Sequence, residues 1–372
     1  MTWLDGVGGD AMSAWQRRRF LTWGAGLGLG SFMPIGFGKP VMDMGTLIVE
    51  LDLSTTSRDV GRAIELGINS ALRESQAKLA MHVINTQGNL TRALDQLRAS
   101  IQDHRILAMI GGGDSNLAGR IAEWATTEQL AYGITWASDT SSEEQGPWIF
   151  RYCLSDAQCL EQLMGKTPAN EKKRWGILLS NDPLGRASYE AILALLATPN
   201  APELVGVQWH DVHAHDLGEQ YTRLVALGAQ AFWFCGHPRA TRILAQTMHQ
   251  GTHSVPVFTS PNAWSTLFAS LRKPNLASLP IYFALPQPSA RNPWSDHYQP
   301  LWTHPASAQA YRLTHALIQA VQHEVPATVA LKRQRIARAW RGLQETLLPL
   351  EIGFYHYDTR GRLERILQPS RA

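Results

Sequence analysis

The apolar positions along this chain change period repeatedly. From residue 45 onward, short runs rich in Val, Ile and Leu alternate with longer segments whose apolar residues recur every three or four places. The runs predict buried parallel strands, and the longer segments predict amphipathic helices. Strands are expected at 46–51, 79–84, 106–111 and 131–134. Helices are expected at 59–75 and 91–102, with a third behind the 111–113 glycines. Helix 59–75 carries Val60, Ala63, Ile64, Gly67, Ile68 and Ala71 on one face. After 150–154 the rhythm restarts, with helices at 156–164, 187–197, 218–227 and 240–250. Between them lie strands at 175–180, 204–209, 231–235 and 255–259. Alternating units of this kind imply an α/β fold with parallel sheets covered on both faces, and two successive runs imply two doubly wound lobes. The last section differs. A strand at 281–289 enters a loop punctuated by Pro286, Pro288, Pro293, Pro300 and Pro305; helices at 307–323 and 328–346 follow, then a hairpin turning at 358–361. These late elements suit a chain that returns to complete both lobes.

The stretch ILAMIGGGDSNLAGRIAEWA at 106–125 carries the most chemistry. A strand runs into Gly111, Gly112 and Gly113, where the backbone can turn tightly and come close to whatever lies above it. Asp114, Ser115 and Asn116 are helix-capping types, and Leu117, Ile121 and Trp124 mark the helix behind them. A helix start offers unpaired N–H groups and a partial positive charge, a seat for a carboxylate or carbonyl oxygen. The segment lacks the Gly-Lys-Ser/Thr of a phosphate loop and the spacing of a dinucleotide fingerprint, so it points to a small polar solute rather than a nucleotide. A plain capped βα turn fits the same letters.

Bulk numbers exclude some partners. With 34 basic and 31 acidic residues the net charge is +3, too balanced to argue for nucleic acid or an anionic membrane. Cys153, Cys159 and Cys235 form no disulfide framework and read as buried free thiols, although Cys153 and Cys159 are close enough in sequence to pair. At the N-terminus, Arg17-Arg18-Arg19-Phe20-Leu21 precedes a Gly-rich, mildly apolar stretch at 22–38. Arg-Arg-x-Phe-Leu before a weak hydrophobic segment resembles a twin-arginine export signal. Residues 1–40 are therefore expected to be a leader and the mature chain periplasmic. Beyond residue 40 no segment is long and apolar enough to span a bilayer.

The order of local motifs resembles the type I periplasmic solute-binding proteins of the leucine/isoleucine/valine and amide/urea group. The likeness is carried by GRAIELGINSALRE at 61–74, ILAMIGGGDSN at 106–116, AYGITWAS at 131–138, FRYCLSDAQ at 150–158 and GILLSNDPLGRASYEA at 176–191, with FYHYDTRGRL at 354–363 similar to the family's terminal hairpin. The resemblance implies two lobes joined by three crossover segments, near 154–156, 284–287 and 348–353. Lobe 1 would comprise 45–154 plus 286–348, and lobe 2 would comprise 155–285 plus 349–368. Solute would bind between them and be delivered to the permease of an ABC importer, with no cofactor and no catalysis. Carried over by position, Ser115 falls where a family serine holds the solute's carboxylate or carbonyl, beside Asn116. Ala137 supplies a backbone group on the next loop. The hydroxyl expected two positions later is Asp139, with Ser138 beside it. In the second lobe the pocket aromatic is Leu184, the tyrosine is His237, and the acid that pairs an α-ammonium is Asn262. These departures speak against an ordinary α-amino acid and leave an amide, a urea or a modified amino acid open. The first-strand loop, 52–59, is short and offers Ser54 or Thr55.

Other constellations have plainer readings. His210, Asp211, His213, His215 and Asp216 crowd one loop as candidate metal ligands, but spacing alone does not make a tetrahedral site. Lys332, Arg333, Arg335, Arg338 and Arg341 form a basic helix face, expected to be solvated. Trp136 and Trp264 flank the expected cleft, placed either to stack on a solute or to pack. The changed pocket and the basic face keep a ligand sensor open as an alternative to transport. An enzyme is motivated only by the His-rich loop and by a Ser115–His237–Asp139 hydrolytic set, and no Gly-x-Ser-x-Gly elbow accompanies the set.

Overall fold

Every residue of β1 (Gly45–Leu51) is buried, as a strand covered on both faces must be. The structure is a computed structural model, and it describes residues 44–54, 57–138, 146–166, 174–198, 201–251, 254–266, 268, 276, 279–286, 304–322, 327–347, 352–358, 360 and 362–366. After β1 come α1 (Arg58–Ser75), β2 (Leu79–Asn85), α2 (Leu90–Ser100), β3 (Ile106–Gly111), α3 (Ser115–Thr127), β4 (Ala131–Ile134) and β5 (Ile149–Arg151). The chain continues through α4 (Asp156–Lys166), β6 (Arg174–Ser180), α5 (Pro183–Leu196), β7 (Glu203–His210), α6 (Gly218–Ala226), β8 (Ala231–Cys235), α7 (Pro238–Gln250) and β9 (Val257–Thr259). A 3-10 turn (Pro261–Ala263) and β10 (Ile281–Pro286) precede α8 (Pro305–Gln322), α9 (Val329–Leu347), β11 (Ile352–Tyr357) and β12 (Leu363–Ile366). The export-like leader lies outside the described residues.

Two sheets result. The first has the order β2-β1-β3-β4-β5, all parallel; the second has the order β12-β11-β10-β9-β8-β6-β7, parallel except for the terminal hairpin. Successive side chains serve opposite layers. Leu47, Val49 and Leu51 pack on one side of the first sheet, and Ile48 packs on the other with Met109, Ile121 and Tyr132. In the second sheet Phe232 and Phe234 face one layer while Ala231, Trp233 and Cys235 face the other. This two-sided burial is why the strands read as continuous apolar runs rather than alternating ones.

The chain passes between the sheets three times: after β5, after β10 and after α9. The two late helices return to the first sheet, where α8 packs along α1 and α9 lies across β3, β4 and β5. Close approach of α1 and α8 depends on Gly67, since a Cβ there would meet the Ser307 carbonyl oxygen at 2.1 Å. Tyr152 anchors the first crossing by donating its hydroxyl to the Trp340 carbonyl.

Local chemistry sets the element ends. Helix α5 starts at Pro183, four residues before the expected 187, because Asp182 accepts the Gly185 N–H at 3.0 Å and proline fits the first helical position. Helix α4 opens with a reciprocal cap, in which Ser155 and Gln158 exchange hydrogen bonds of 3.0 and 3.2 Å. All three cysteines are free and buried. The basic face of α9 departs from expectation. Lys332 donates to the Met44 carbonyl, Arg333 to the carbonyls of Ile106 and Glu128, and Arg341 to that of Pro147. Much of this face therefore satisfies backbone oxygens at the amino edge of the first sheet instead of facing water alone.

Candidate functional site

Both sheets send their strand carboxyl ends toward a shared polar seam, the position where open α/β sheets place ligands. On the first lobe, the turn after β3 carries Ser115. Gly112 takes φ +67°, and its N–H donates to the buried Glu50 carboxyl at 2.7 Å; the Tyr132 hydroxyl donates to the same oxygen at 3.1 Å. Burial raises Glu50 to about 7, against the pull of these two bonds. Asp114 caps α3 through the Asn116 N–H at 2.9 Å, and burial raises its carboxyl above the usual range.

From this base the polar groups converge. Ser115 Oγ accepts the Ser138 N–H at 3.1 Å. From the second lobe, Asn262 Nδ2 reaches Ser115 Oγ at 3.4 Å and donates to Ser138 Oγ. The Ser138 hydroxyl in turn meets the fully buried Asp156, which also accepts the Cys235 thiol at 3.1 Å. Burial raises the Asp156 carboxyl and the Cys235 thiol.

A second bridge lies beside the first. Asn116 Nδ2 donates to Asp182 at 3.3 Å, and the Leu184 N–H donates back to Asn116 Oδ1 at 3.4 Å. Asp182 also receives His237 Nε2–H at 2.8 Å. Burial opposes both charges, yet the pairing wins. Asp182 is held well below the usual carboxylate range, and His237 stays above its ordinary value. A third contact joins Asp59 at the start of α1 to Ser265 Oγ at 2.6 Å and the Thr266 N–H at 3.2 Å.

Of the residues the sequence singled out, Ser115, Asn116, Ser138, His237 and Asn262 stand in this seam. Ala137 is adjacent, but its N–H goes to Gly112 O and its carbonyl accepts from Arg151 and Cys153, so both backbone groups are engaged within the first lobe. The Leu184 side chain packs in the core of the second lobe, and only its N–H meets the seam. Ser54 bonds to Asp52, while Thr55 and Asp139 lie outside the described residues. His237 spends Nε2 on Asp182 rather than on a serine. In the His-rich loop, His210 is buried against Phe234 and His215 meets Arg239; among the described residues no group of three or more His, Cys, Asp or Glu gathers to hold a metal.

Sequence reasoning passed over Asp182, Asp156, Glu50 and His304. Asp-Pro at a helix start and Ser-x-x-Gln at 155–158 were available signals for the first two. Glu50, a lone acid inside the apolar run TLIVEL, was a third. A separate depression of about 330 Å³, lined by Ile101, His104, Trp148 and Arg333 among others, lies at the opposite, amino edge of the first sheet.

Comparison with known proteins agrees with this architecture. The family model described as periplasmic binding protein matches residues 49–365. Among solved structures, the leucine-binding protein of Thermotoga maritima superposes with a TM-score of 0.72 at 13% identity, covering 88% of this chain and all of its own. A fatty acid ABC transporter substrate-binding protein from Thermomonospora curvata gives 0.69 at 13%, over 88% and 94% of the two chains. A solute-binding protein of an ABC transporter from R. palustris, in complex with 4-hydroxybenzoate, gives 0.68 at 14%, over 86% and 95%. At such identities the likeness carries the fold. No curated protein matches the chain.

Proposed function

Because this chain belongs to the periplasmic binding protein family, we propose that it is an exported receptor that captures a small polar solute between its lobes and presents it to an ABC permease. The observation that supports this is the meeting of Ser115 and Ser138 from one lobe with Asn262 from the other. In this reading Ser115, Asn116, Ser138 and Asp139 form the wall of the first lobe, with the backbone at Ala137, and Leu184, His237 and Asn262 form the facing wall. The lobes are 45–154 plus 286–348 and 155–285 plus 349–368. Residues 1–40 direct export by the twin-arginine route into the periplasm. Among the described residues no helix is long and apolar enough to cross a membrane.

The chemistry of the walls narrows the solute. Hydroxyl and amide groups meet where an α-ammonium would need a free carboxylate, and the nearby Asp182 is already paired with His237. A solute presenting carbonyl or carboxylate oxygens fits these donors better than one that needs an acid for its ammonium. The sensor alternative loses part of its motive, since Lys332, Arg333 and Arg341 of the basic face on α9 donate to backbone carbonyls. A thermal-shift screen of amino acids, amides, ureas and carboxylic acids tests the proposal. A stabilising solute whose effect is lost in Ser115→Ala supports it; a screen with no response from any class overturns it.

A further inference from the structure

Among the described residues, His304 Nε2 is one of the buried polar atoms near the seam that have no hydrogen-bond partner. His304, directly before α8, is fully buried, and its Nδ1 accepts the Ala306 N–H at 3.1 Å. A neutral ring that accepts at Nδ1 carries its proton on Nε2. That Nε2–H meets no acceptor among the described residues. A buried donor left unmet loses its hydration without gaining a bond, so a bare N–H at this depth calls for an explanation.

Its surroundings are aromatic. Trp136 meets the imidazole edge-on with ring centroids 4.5 Å apart, and Trp264 lies at 5.1 Å. The two indoles are themselves 6.4 Å apart, tilted by 53°. Trp136 is two residues before Ser138, and Trp264 is two residues after Asn262. The aromatic cluster is thus continuous with the polar seam. Trp136 and His304 belong to the first lobe, whereas Trp264 follows the 3-10 turn of the second and is held by its Nε1–H to the Tyr357 hydroxyl at 3.1 Å. Separation of the lobes would move Trp264 away from the other two rings and uncover an indole face and the unmet donor together.

Resting on the solute-binding reading above, we propose that His304 Nε2–H, between Trp136 and Trp264, forms a subsite for a planar aromatic carboxylate or its amide. The indoles supply faces on which a flat ring stacks, and the imidazole supplies a donor for an oxygen. Ser115, Ser138 and Asn262 remain within the same seam to receive further oxygens. A neutral donor at this point selects against a quaternary ammonium, which the same pair of indoles would otherwise attract.

Titration calorimetry on the full chain with benzoate, cyclohexanecarboxylate and glycine betaine tests the assignment. Benzoate should bind about tenfold or more tightly than its saturated counterpart, and glycine betaine should not compete. His304→Phe, which keeps the ring and removes the donor, should weaken benzoate about tenfold. Trp264→Leu should do the same from the other lobe. It supplies an independent variant if His304→Phe loses its fold by circular dichroism. Equal binding of the two acids, preference for glycine betaine, or unchanged affinity in both folded variants would overturn the subsite. If an aliphatic amide or amino acid binds with dependence on Ser115 but not on His304, the subsite fails and the cleft reading survives. If no compound of any class binds, both fail.

Discussion

The two walls of the seam are built by different means. Ser115 on the first lobe stands on a turn tied down from within that lobe, by Gly112 N–H on the buried Glu50, Tyr132 on the same carboxyl, and Asp114 capping α3. On the second lobe, the Asn262 side chain bonds to Ser115 and Ser138 of the first, and Asp182 takes a bond from Asn116. The first wall is therefore preorganised whatever the lobes do. On the second, Asp182 is held by His237 and Gly185 of its own lobe, whereas the Asn262 side chain finds its partners on the opposite lobe, and those are the bonds a solute would replace. Changes to the anchors beneath the first wall should be felt as stability, and changes to the groups that meet across the seam as affinity and closure.

The most damaging change should be Gly111→Val. A Cβ there would lie 2.3 Å from Glu50 Oε2, which cannot move without losing its bonds to Gly112 and Tyr132, and 2.5 Å from the Glu50 carbonyl oxygen, which cannot move without disturbing β1. A loss of about 3 kcal/mol or more is expected in urea denaturation; a variant as stable as the parent would mean that the turn is not anchored on Glu50.

Glu50 and His304 should tilt the pH dependence of stability in opposite directions. Burial lifts Glu50 from 4.5 to about 7, so the folded protein holds an extra proton in that interval, and stability should fall as pH rises through it. Burial lowers His304 from 6.5 to about 4, with Asp59 pulling the other way. For His304 it is the unfolded chain that binds the extra proton between those values, and stability should rise with pH until about 6.5. Each contribution is at most about 3 kcal/mol. Melting temperatures from pH 4.5 to 7 should rise more steeply in Glu50→Gln and less steeply in His304→Phe than in the parent. Parallel curves for all three would remove both groups from the account.

A smaller effect is expected of Ser115→Ala. The Ser138 N–H loses its acceptor, solute affinity should drop about tenfold, and stability should change by about 1 kcal/mol. A loss of stability without any loss of affinity would move Ser115 from the binding wall to the scaffold. Smallest of all, Asn116→Ala removes two long bonds between the lobes, of 3.3 and 3.4 Å. It should alter closure by about 0.5 kcal/mol, read as a small change in the solute concentration needed to shrink the scattering radius. An effect as large as that of Ser115→Ala would show that the bonds between the lobes weigh as much as the serine at the anchored turn.

The same division governs what could be read beforehand. The Gly111–Ser115 turn was legible because strand, glycines, cap and helix follow one another within a few residues. Asn262, Ser138 and His237 were reached through resemblance to a family. Asp182 was missed because its role needs two neighbours from distant segments, although its place before Pro183 marked it as a cap. His304 left no periodic trace: one histidine before a proline carries no sign that two tryptophans, 168 and 40 residues earlier, will enclose it. The basic face of α9 is solvated only in part, for a related reason. Amphipathic pattern tells which side of a helix avoids the core, but not that exposed strand ends nearby offer carbonyls to the lysine and arginines.

Local order along the chain was enough to determine the alternation of strands and helices, the two-sided burial of both sheets, the glycine turn and its cap. Each depends on side-chain period, backbone freedom or hydrogen bonds within a few residues. Tertiary structure alone decided which acids are buried, which histidine is paired and which is stranded, and which hydroxyls meet across the seam. Those outcomes follow from desolvation and from partners more than a hundred residues away, such as Asn262 for Ser115 and Ser138, and proximity of that kind is created only when three chain crossings bring the carboxyl ends of two sheets together.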